Sequence, residues 1–323
     1  MMRPLQKDAP LSANPIPDDP AGLGLESITD FVRYGASRFG AAGLHFGHGT
    51  DNPVDEALFL VRHALHLGHD LPPEFYAARL TPEEQREVLA LFRRRIEERV
   101  PAAYLAGEAW FAGLPFAVDA RVIVPRSPIA ELVESGFAPW IDPHRVGRIL
   151  DLCTGSGCIA VACAVAFPEA TVDAVEISPE ALAVARVNVA RHGVEARVNL
   201  LEGDLWEPVE GRRYDLVVSN PPYVSDAEMA TLPGEYGHEP DLALRSGPQG
   251  LDAVSRILAR AREHLEPGGI LVVEAGSAAP AVEAAWPDLP FAWVDFGRGG
   301  GGVFVLHEGD LAGRLEADLA QGG

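Results

Sequence analysis

The feature that most restricts the fold of this chain is the alternation of two kinds of segment after Arg148. RILDL, TVDAVEI, ARVNLLEGD, YDLVVSN and ILVVEAG are typical of buried strands, whereas CIAVACAVAF, PEALAVARVNVARHG and LDAVSRILARAREHLEPGG are typical of helices. Such alternation predicts a parallel sheet flanked by helices, with the last helix ending at Pro267-Gly268-Gly269. FAWVDF and GVFVLHE have only a glycine-rich turn between them, so they predict an antiparallel hairpin at the end of the sheet.

The chain before this sheet has three parts. Residues 1–25 are rich in proline and carry little apolar pattern, so we expect a disordered tail. Residues 26–106 predict a small helical domain, with Ser27 and Thr81 as N-caps and Gly68 at the end of the second helix. Residues 107–130 predict a β-hairpin linker, and residues 131–323 the α/β domain.

Composition narrows the class of partner and the compartment. The formal net charge of −21 argues against a nucleic-acid backbone as the main partner, and it suits either simple solubility or the steering of a basic protein. No apolar stretch is long enough to span a bilayer, and no signal-peptide pattern follows Arg3. Cys153, Cys158 and Cys163 have neither metal-ligand nor disulfide spacing. We therefore expect a cytoplasmic protein without a metal site and without specific nucleic-acid binding.

A glycine-rich turn follows the first strand of the α/β domain. In DLCTGSGCIA, Gly155 and Gly157 leave room for a ligand to approach the backbone, and Glu176 at the end of the next strand can accept hydrogen bonds from a ribose diol. Asp204, after the third strand, faces an adenine amino group or belongs to a surface turn. This pattern predicts an adenosine-containing ligand and leaves open whether it is a nicotinamide cofactor or S-adenosylmethionine.

The fourth strand ends in SNPPYV, where two prolines remove the N–H groups that a sheet needs. Strands one and four flank the switch point of such a sheet, so Asn220, Pro221, Pro222 and Tyr223 are expected over the same crevice as the glycine turn. The turn offers amide hydrogen bonds and an aromatic face. It offers no acid–base group with a pKa suitable for hydride transfer, which argues against a nicotinamide enzyme.

At these residues the chain resembles the class I S-adenosylmethionine-dependent methyltransferases of amino groups, whose mark is [ND]-P-P-[YFW]. The helical segments and the hairpin resemble more narrowly the bacterial protein-(glutamine) methyltransferases. Some members act on peptide-chain release factors and usually read I-P-R-P-D-T-E after the hairpin. Others act on the third protein of the large ribosomal subunit, and the sequence VPRSPI at residues 124–129 matches those. The resemblance covers roughly residues 27–306.

The resemblance implies a Rossmann-like seven-stranded sheet preceded by a helical substrate-recognition domain. It implies that S-adenosylmethionine, with S-adenosylhomocysteine as its product, contacts residues of the first four strand ends: Cys153, Thr154, Gly155, Ser156, Gly157, Glu176, Asp204, Leu205 and Asn220. Glu176 stands where the family more often has Asp, which alters the ribose contact by one methylene. Cys153 stands where the family often has Gly.

The same resemblance assigns the catalytic turn. The Asn220 side-chain carbonyl and the Pro221 backbone carbonyl would accept the N–H bonds of a glutamine amide, Pro222 would stiffen the turn, and Tyr223 would pack on the amide plane. The alternatives are the same reaction on release factors, adenine amino methylation of nucleic acid, a nicotinamide oxidoreductase and a non-catalytic cofactor-binding module.

Residues outside the turn have more than one interpretation. Trp110 and Phe111 line the glutamine pocket, contact the substrate protein, or serve interdomain packing. Arg126 lines the glutamine pocket, contacts the substrate protein, or pairs with an acid. Glu239 and Asp241, which follow the turn, either support it or lie in a solvated loop, and we expect the solvated loop for each.

Overall fold

The computed structural model describes residues 15–311 of the chain. They divide into two compact units, one made of the chain up to Gly107 with Pro233–His238, the other of Glu108–Leu232 and the chain from Glu239 onward. No helix within the described range has the length and apolar character needed to cross a membrane. The two units therefore differ from the predicted domains at one segment. Pro233–His238 lies within the predicted α/β domain, but it belongs to the same compact unit as the N-terminal helices.

The helical unit contains α1 (Ile28–Ala41), α2 (Pro53–Ala64), α3 (Pro82–Glu97) and α4 (Ala102–Ala106), with a 3-10 turn at Pro73–Ala77. Both predicted caps are confirmed, since Ser27 and Thr81 form capping boxes with Asp30 and Glu84. The predicted end of α2 at Gly68 is wrong. The helix ends at Ala64, and His66 adopts a left-handed conformation with φ 55°.

The expected disordered tail is too long. Residues 1–14 lie outside the described residues, but Ile16 and Leu25 are buried in the core of the helical unit. The Arg93 guanidinium donates hydrogen bonds to the carbonyls of Ile16 and Pro17 at 3.3 and 3.2 Å. Burial of two isolated apolar side chains among prolines leaves no periodic pattern, so the sequence does not predict it.

A fully buried cluster of charges lies inside the helical unit. Arg95, only 1% exposed, donates to Glu56 at 2.7 Å, to Glu235 at 3.2 Å and to the His45 carbonyl at 2.8 Å. Burial raises the pKa of Glu56 although Arg95 opposes it. Burial also acts to raise the pKa of Glu235, but hydrogen bonds from the His45 N–H and from Arg95 outweigh it, and this pKa is lowered. Glu235 is thus a buried anion that joins Pro233–His238 to the helices.

The second unit begins with a hairpin of β1 (Glu108–Phe111) and β2 (Leu114–Ala117). The later elements are, in chain order, α5 (Ile129–Glu134), β3 (Arg148–Leu152), α6 (Cys158–Ala166), β4 (Thr171–Glu176), α7 (Pro179–Arg191), β5 (Val198–Glu202), β6 (Tyr214–Ser219), α8 (Asp226–Met229), α9 (Asp252–Arg260), β7 (Leu265–Glu274), α10 (Ala279–Ala285), β8 (Ala292–Trp293) and β9 (Val303–His307).

Seven of these strands form one sheet in the order β5-β4-β3-β6-β7-β9-β8. Strands β3 to β7 run parallel, and β9 is antiparallel to β7 and β8, which confirms the predicted fold class and its terminal hairpin.

The two faces of the sheet carry separate cores because successive strand residues point in opposite directions. On β3, Ile149 packs with α5 and α6 on one face, whereas Leu150 packs with α9 and α10 on the other. Both faces are covered, so the central strands are buried along most of their length rather than at every second residue.

The hairpin β1–β2 is confirmed over residues 108–117, with positive φ at both turn residues, Ala112 and Gly113. It is not a free linker. Phe111 and Phe116 are buried in the same core as α5 and α6. The chain from residue 118 to the start of α5 contains no strand.

The predicted helix stop at Pro267-Gly268-Gly269 is wrong. Helix α9 ends at Arg260, a 3-10 turn follows, and the Pro-Gly-Gly segment lies inside β7. Pairing between β6 and β7 is irregular there. A Cβ at Gly269 would lie 2.9–3.0 Å from three backbone carbonyl oxygens, so the glycine serves close strand packing rather than helix termination.

Replacing the central arginine of the buried cluster tests its contribution to stability. Arg95→Met would leave Glu56 and Glu235 without their shared cation, and we expect a loss of about 3–5 kcal/mol in the free energy of unfolding. The matched control is Arg94→Met, because Arg94 is exposed and pairs with the exposed Glu98. That change is expected to alter stability by less than about 1 kcal/mol. Urea unfolding of both variants measures the difference, and equal losses would contradict the assignment.

Candidate functional site

A cavity of about 200 Å³ opens at the carboxyl ends of β3, β4, β5 and β6. This is the position that the strand order predicts, since the chain runs outward in both directions from the neighbouring pair β3 and β6. Seven residues predicted for the site line it: Cys153, Gly155, Glu176, Asp204, Leu205, Asn220 and Pro222. The other lining residues are Arg121, Val122, Ile123, Ile177, Ser178, Ala181, Pro240, Leu242, Ala243, Ala253 and Arg256.

The two glycines of the glycine turn have different roles. A Cβ at Gly155 would meet nothing within 4 Å, so this glycine leaves the cavity wall open. A Cβ at Gly157 would lie 3.2 Å from Ala185 Cβ, so this glycine lets α6 pack closely on α7. Cys153 holds φ 60°, a conformation that glycine adopts more easily. The backbone conformation at position 153 is therefore one that glycine would adopt with less strain than cysteine.

Thr154 and Ser156 are buried and do not line the cavity. The Thr154 hydroxyl donates to the Asp151 carboxylate, and its N–H donates to the Val175 carbonyl at 3.0 Å. The Ser156 carbonyl accepts a hydrogen bond from Asn188 at 2.8 Å. Both residues therefore fix the shape of the glycine turn from behind.

Glu176 joins the glycine turn to the end of β4. Its Oε2 accepts from the Gly155 N–H at 2.9 Å, and its Oε1 accepts from the Ser178 N–H at 3.0 Å. Each carboxylate oxygen has a second lone pair, so the group still has acceptor capacity toward the cavity. The longer glutamate side chain thus fits this position.

Asp204 and Leu205 follow β5. The Asp204 carboxylate pairs with the Arg256 guanidinium at 2.8 Å, and both side chains border the cavity. Leu205 contributes an apolar wall and adopts φ 50°. Asp204 is therefore neither a free carboxylate nor part of an irrelevant surface turn.

The Asn220–Tyr223 turn comes directly after β6. Asn220 and Pro222 border the cavity, Pro221 is buried, and Tyr223 does not line it. The chain is then pinned by backbone hydrogen bonds from Val224 N–H to the Leu244 carbonyl, 2.8 Å, and from Ser246 N–H to the Val224 carbonyl, 2.9 Å. Within residues 15–311 the Asn220 side chain forms no hydrogen bond. A rigid, polar turn therefore presents an unused amide at the cavity wall.

The residues predicted from the hairpin region are not brought to the cavity. Phe111 lies in the core, which removes it from the set of substrate contacts. Trp110 is 39% exposed on β1 and points away from that core. Arg126 forms two hydrogen bonds to Glu239, at 2.5 and 2.7 Å, so pairing with an acid is the interpretation that the structure supports.

The expectation of a solvated loop is wrong for Glu239, whose side chain is fully buried against Arg126. It holds for Asp241, which is exposed and pairs with Arg245 at 2.9 Å. The sequence gives no signal that separates these two acids, because only the folded loop decides which one meets the partly buried Arg126.

Two supporting residues were missed by sequence reasoning. Asp151, at the end of β3, is fully buried and accepts from Thr154 Oγ1 and from the Ala160 N–H. Asn188 on α7 is also fully buried and bonds both the β2 backbone at Ala117 and the glycine turn. In the sequence, each is a polar residue on an otherwise apolar strand or helix face, and this pattern could have identified them.

The burial of Asp151 predicts a pH dependence of stability. Burial raises its pKa from 3.8 to about 7, and the nearby Glu176 adds to the shift. Because the folded-state pKa lies above the unfolded value, the folded state holds a proton that the unfolded state has lost, and stability falls as pH rises from about 4 to about 7. The difference amounts to about 4 kcal/mol at most.

Asp151→Asn removes this titration while preserving the side-chain shape. Urea unfolding of both cofactor-free proteins gives the difference in the free energy of unfolding, variant minus parent. We expect this difference to increase from pH 5 to pH 8, because only the parent loses stability over that range. The control is Asp288→Asn, at an exposed position, with no such trend. A constant difference across this pH range would contradict the buried-acid assignment.

Known proteins resemble this chain over most of its length. The family model described as "Methyltransferase small domain" matches residues 137–233. The ribosomal protein uL3 glutamine methyltransferase of Xanthomonas campestris pv. campestris is 54% identical over 283 residues, which cover 88% of this chain and 92% of that protein. The protein of the same name from Xylella fastidiosa (strain 9a5c) is 53% identical over 286 residues, 88% of this chain and 90% of that protein.

Solved structures include a methyltransferase from Pyrococcus furiosus with a TM-score of 0.44 and 21% identity, over 61% of this chain and 89% of that chain. The two uL3 glutamine methyltransferases are matched over nearly their whole length, and the match includes both the helical and the α/β regions of this chain. This chain therefore belongs to the family of the ribosomal protein uL3 glutamine methyltransferases.

Proposed function

We propose that this protein transfers a methyl group from S-adenosylmethionine to the side-chain amide nitrogen of a glutamine in ribosomal protein uL3. The observation that carries the proposal is the rigid Asn220–Pro222 turn at the wall of the cavity that also contains the glycine turn and Glu176. Because uL3 is a ribosomal protein, the proposed compartment is the cytoplasm.

The lining of the cavity suits S-adenosylmethionine. Glu176 has acceptor capacity for a ribose diol, and Ile177 and Leu205 supply apolar surface for an adenine ring. The open position at Gly155 allows the ligand to approach the backbone. The Asp204–Arg256 pair offers acceptor and donor groups at the same wall. When bound, the cofactor supplies a methyl group that its sulfonium already activates.

The chemical difficulty lies in the amide nitrogen, whose lone pair is delocalised into the carbonyl. No group with an ordinary pKa deprotonates an amide before transfer, so catalysis rests on placement and electrostatics. We assign the Asn220 side-chain carbonyl and the Pro221 backbone carbonyl as acceptors for the two amide N–H bonds. These acceptors orient the nitrogen and offset its developing positive charge. The nitrogen is far more acidic once it carries the methyl group, so it releases its proton after the transfer. Pro221 and Pro222 restrict backbone motion. Tyr223 does not line the cavity, so we assign its contact with the amide plane to a substrate side chain that approaches the turn from outside the cavity.

The choice of substrate rests on the relatives and on charge. The curated relatives are named for uL3, and the net charge of −21 on this chain favours encounter with a basic protein. We assign substrate recognition to the helical unit and a surface contact to the exposed Trp110. Arg126 is excluded from a direct role, because Glu239 already neutralises it.

The direct test is incubation of the purified protein with labelled S-adenosylmethionine and purified uL3, release factor or duplex DNA in separate reactions. We expect label in uL3, with mass spectrometry placing one methyl group on a glutamine. Label in release factor alone, or in DNA alone, would overturn the assigned substrate.

Asn220→Ala tests the proposed amide acceptor. We expect the rate of methylation of uL3 to fall by about 100-fold or more, because one acceptor of the reacting amide is removed. Cofactor affinity measured by calorimetry is expected to change by less than a few-fold, since Glu176 and the glycine turn remain. The control is Ser225→Ala, whose hydroxyl caps only the short helix α8. Turnover equal to that of the parent would refute the role of Asn220.

Ionic strength tests the proposed steering of a basic substrate. The kcat/KM for uL3 is expected to fall about three- to ten-fold between about 0.05 and 0.5 M NaCl, because salt screens long-range attraction. The KM for S-adenosylmethionine serves as the internal control and is expected to change little. A flat salt profile for uL3 would show that the acidic composition serves solubility instead.

A further inference from the structure

The Tyr223 side chain is held on two sides outside the cavity. Its hydroxyl donates a hydrogen bond to Glu274 Oε1 at 3.0 Å. Its ring lies against Gly276, where a Cβ would come within 2.4 Å of ring atom Cε2. Its carbonyl oxygen would lie 2.2 Å from a Cβ at Gly250. Two glycines therefore leave space for this residue, and one carboxylate fixes the direction of its hydroxyl.

Glu274 is the last residue of β7, and its carboxylate is almost completely buried. Its second oxygen accepts a hydrogen bond from the hydroxyl of Ser127, which is itself buried and accepts from the Ile129 N–H at 3.2 Å. Burial raises the pKa of Glu274, and the hydrogen bonds from Ser127 and Tyr223 oppose that shift. Ser127, Tyr223 and Glu274 thus form one hydrogen-bonded group, the Glu274 cluster.

The chain that carries Ser127 is fixed at its other end as well. Glu239 accepts from the Val124 N–H at 2.9 Å and forms the paired contact with Arg126. Two buried carboxylates, Glu239 and Glu274, therefore hold the segment 124–127. Because this segment cannot shift freely, the Ser127 hydroxyl is a fixed donor to Glu274.

We infer that Ser127 and Glu274 are positioning residues that hold Tyr223, and through it the Asn220–Pro222 turn, in the geometry required for methyl transfer. The inference rests on the proposed function of that turn. None of the three residues of the Glu274 cluster lines the cavity, so the cluster acts on the reacting amide rather than on cofactor binding. A ring without its hydroxyl would keep its packing on Gly276 but lose the bond that sets its direction.

Three single substitutions separate this role from simple ring packing: Tyr223→Phe, Ser127→Ala and Glu274→Gln. Each is expected to lower kcat for uL3 methylation about ten-fold, the size expected for one lost hydrogen bond to a buried carboxylate. Cofactor affinity by calorimetry is expected to stay within about two-fold. Ser127→Thr keeps the hydroxyl and is expected to restore most of the rate. The double variant Ser127→Ala/Tyr223→Phe is expected to lose less than the product of the single losses, because both act through Glu274.

The matched control is Tyr214→Phe, which removes a hydroxyl that donates to the Asp173 carboxylate at 2.7 Å, at the end of β6 opposite to the Asn220–Tyr223 turn. It is expected to leave kcat unchanged. A parent protein that methylates uL3, combined with Tyr223→Phe and Ser127→Ala variants within two-fold of its kcat, would overturn the inference and leave the proposed function intact. Should Glu274→Gln fail to fold, these two variants carry the test.

Hydrogen exchange gives a readout that does not depend on the substrate. In Ser127→Ala and Tyr223→Phe, the peptide containing residues 220–224 is expected to exchange at least several-fold faster than in the parent. If the parent does not methylate uL3, the proposed substrate is wrong, and faster exchange of this peptide would still support the positioning role. Unchanged exchange in both variants would count against that role.

Discussion

The parallel pairing of β3 with β6 is the constraint on which the candidate site depends. Leu152 at the end of β3 lies beside Ser219 at the end of β6, and the Ser219 hydroxyl donates to the Leu152 carbonyl at 2.8 Å. The glycine turn follows the first residue and the Asn220–Tyr223 turn follows the second. Two segments that are far apart in the chain therefore meet because their strands end together.

Buried carboxylates stabilise this arrangement at several points of an acidic protein. Asp151 and Glu176 hold the glycine turn, and Glu239 and Glu274 hold the segment before α5. A buried carboxylate without donors is strongly destabilising, so each of these acids fixes the groups that bond to it. Most of the net charge is on the surface, but the acids that shape the site are those removed from water.

The sequence predicts the sheet well because alternating apolar and amphipathic segments leave few alternatives. It also predicts the N-caps at Ser27 and Thr81, where the hydrogen bonds are local. It fails at Gly68 and at Pro267-Gly268-Gly269, where local breakers were interpreted as helix ends. Helix α2 ends before Gly68, and the chain adopts a left-handed conformation already at His66. Close packing between β6 and β7 requires Gly269 inside a strand. Tertiary contacts override local preference at both places.

The sequence by itself determined the chemistry-bearing segments: the glycine turn, Glu176, the acid after β5 and the Asn-Pro-Pro-Tyr turn, whose residue types suit few ligands. The parallel strand order then required them to share one edge of the sheet. Only the tertiary structure decided which neighbouring side chains support them. Glu239 rather than Asp241 is buried against Arg126, Phe111 belongs to the core, and Tyr223 bonds to Glu274. Local patterns specify elements within about one turn or strand, whereas a partner such as Glu274 is chosen by long-range packing that no local pattern encodes.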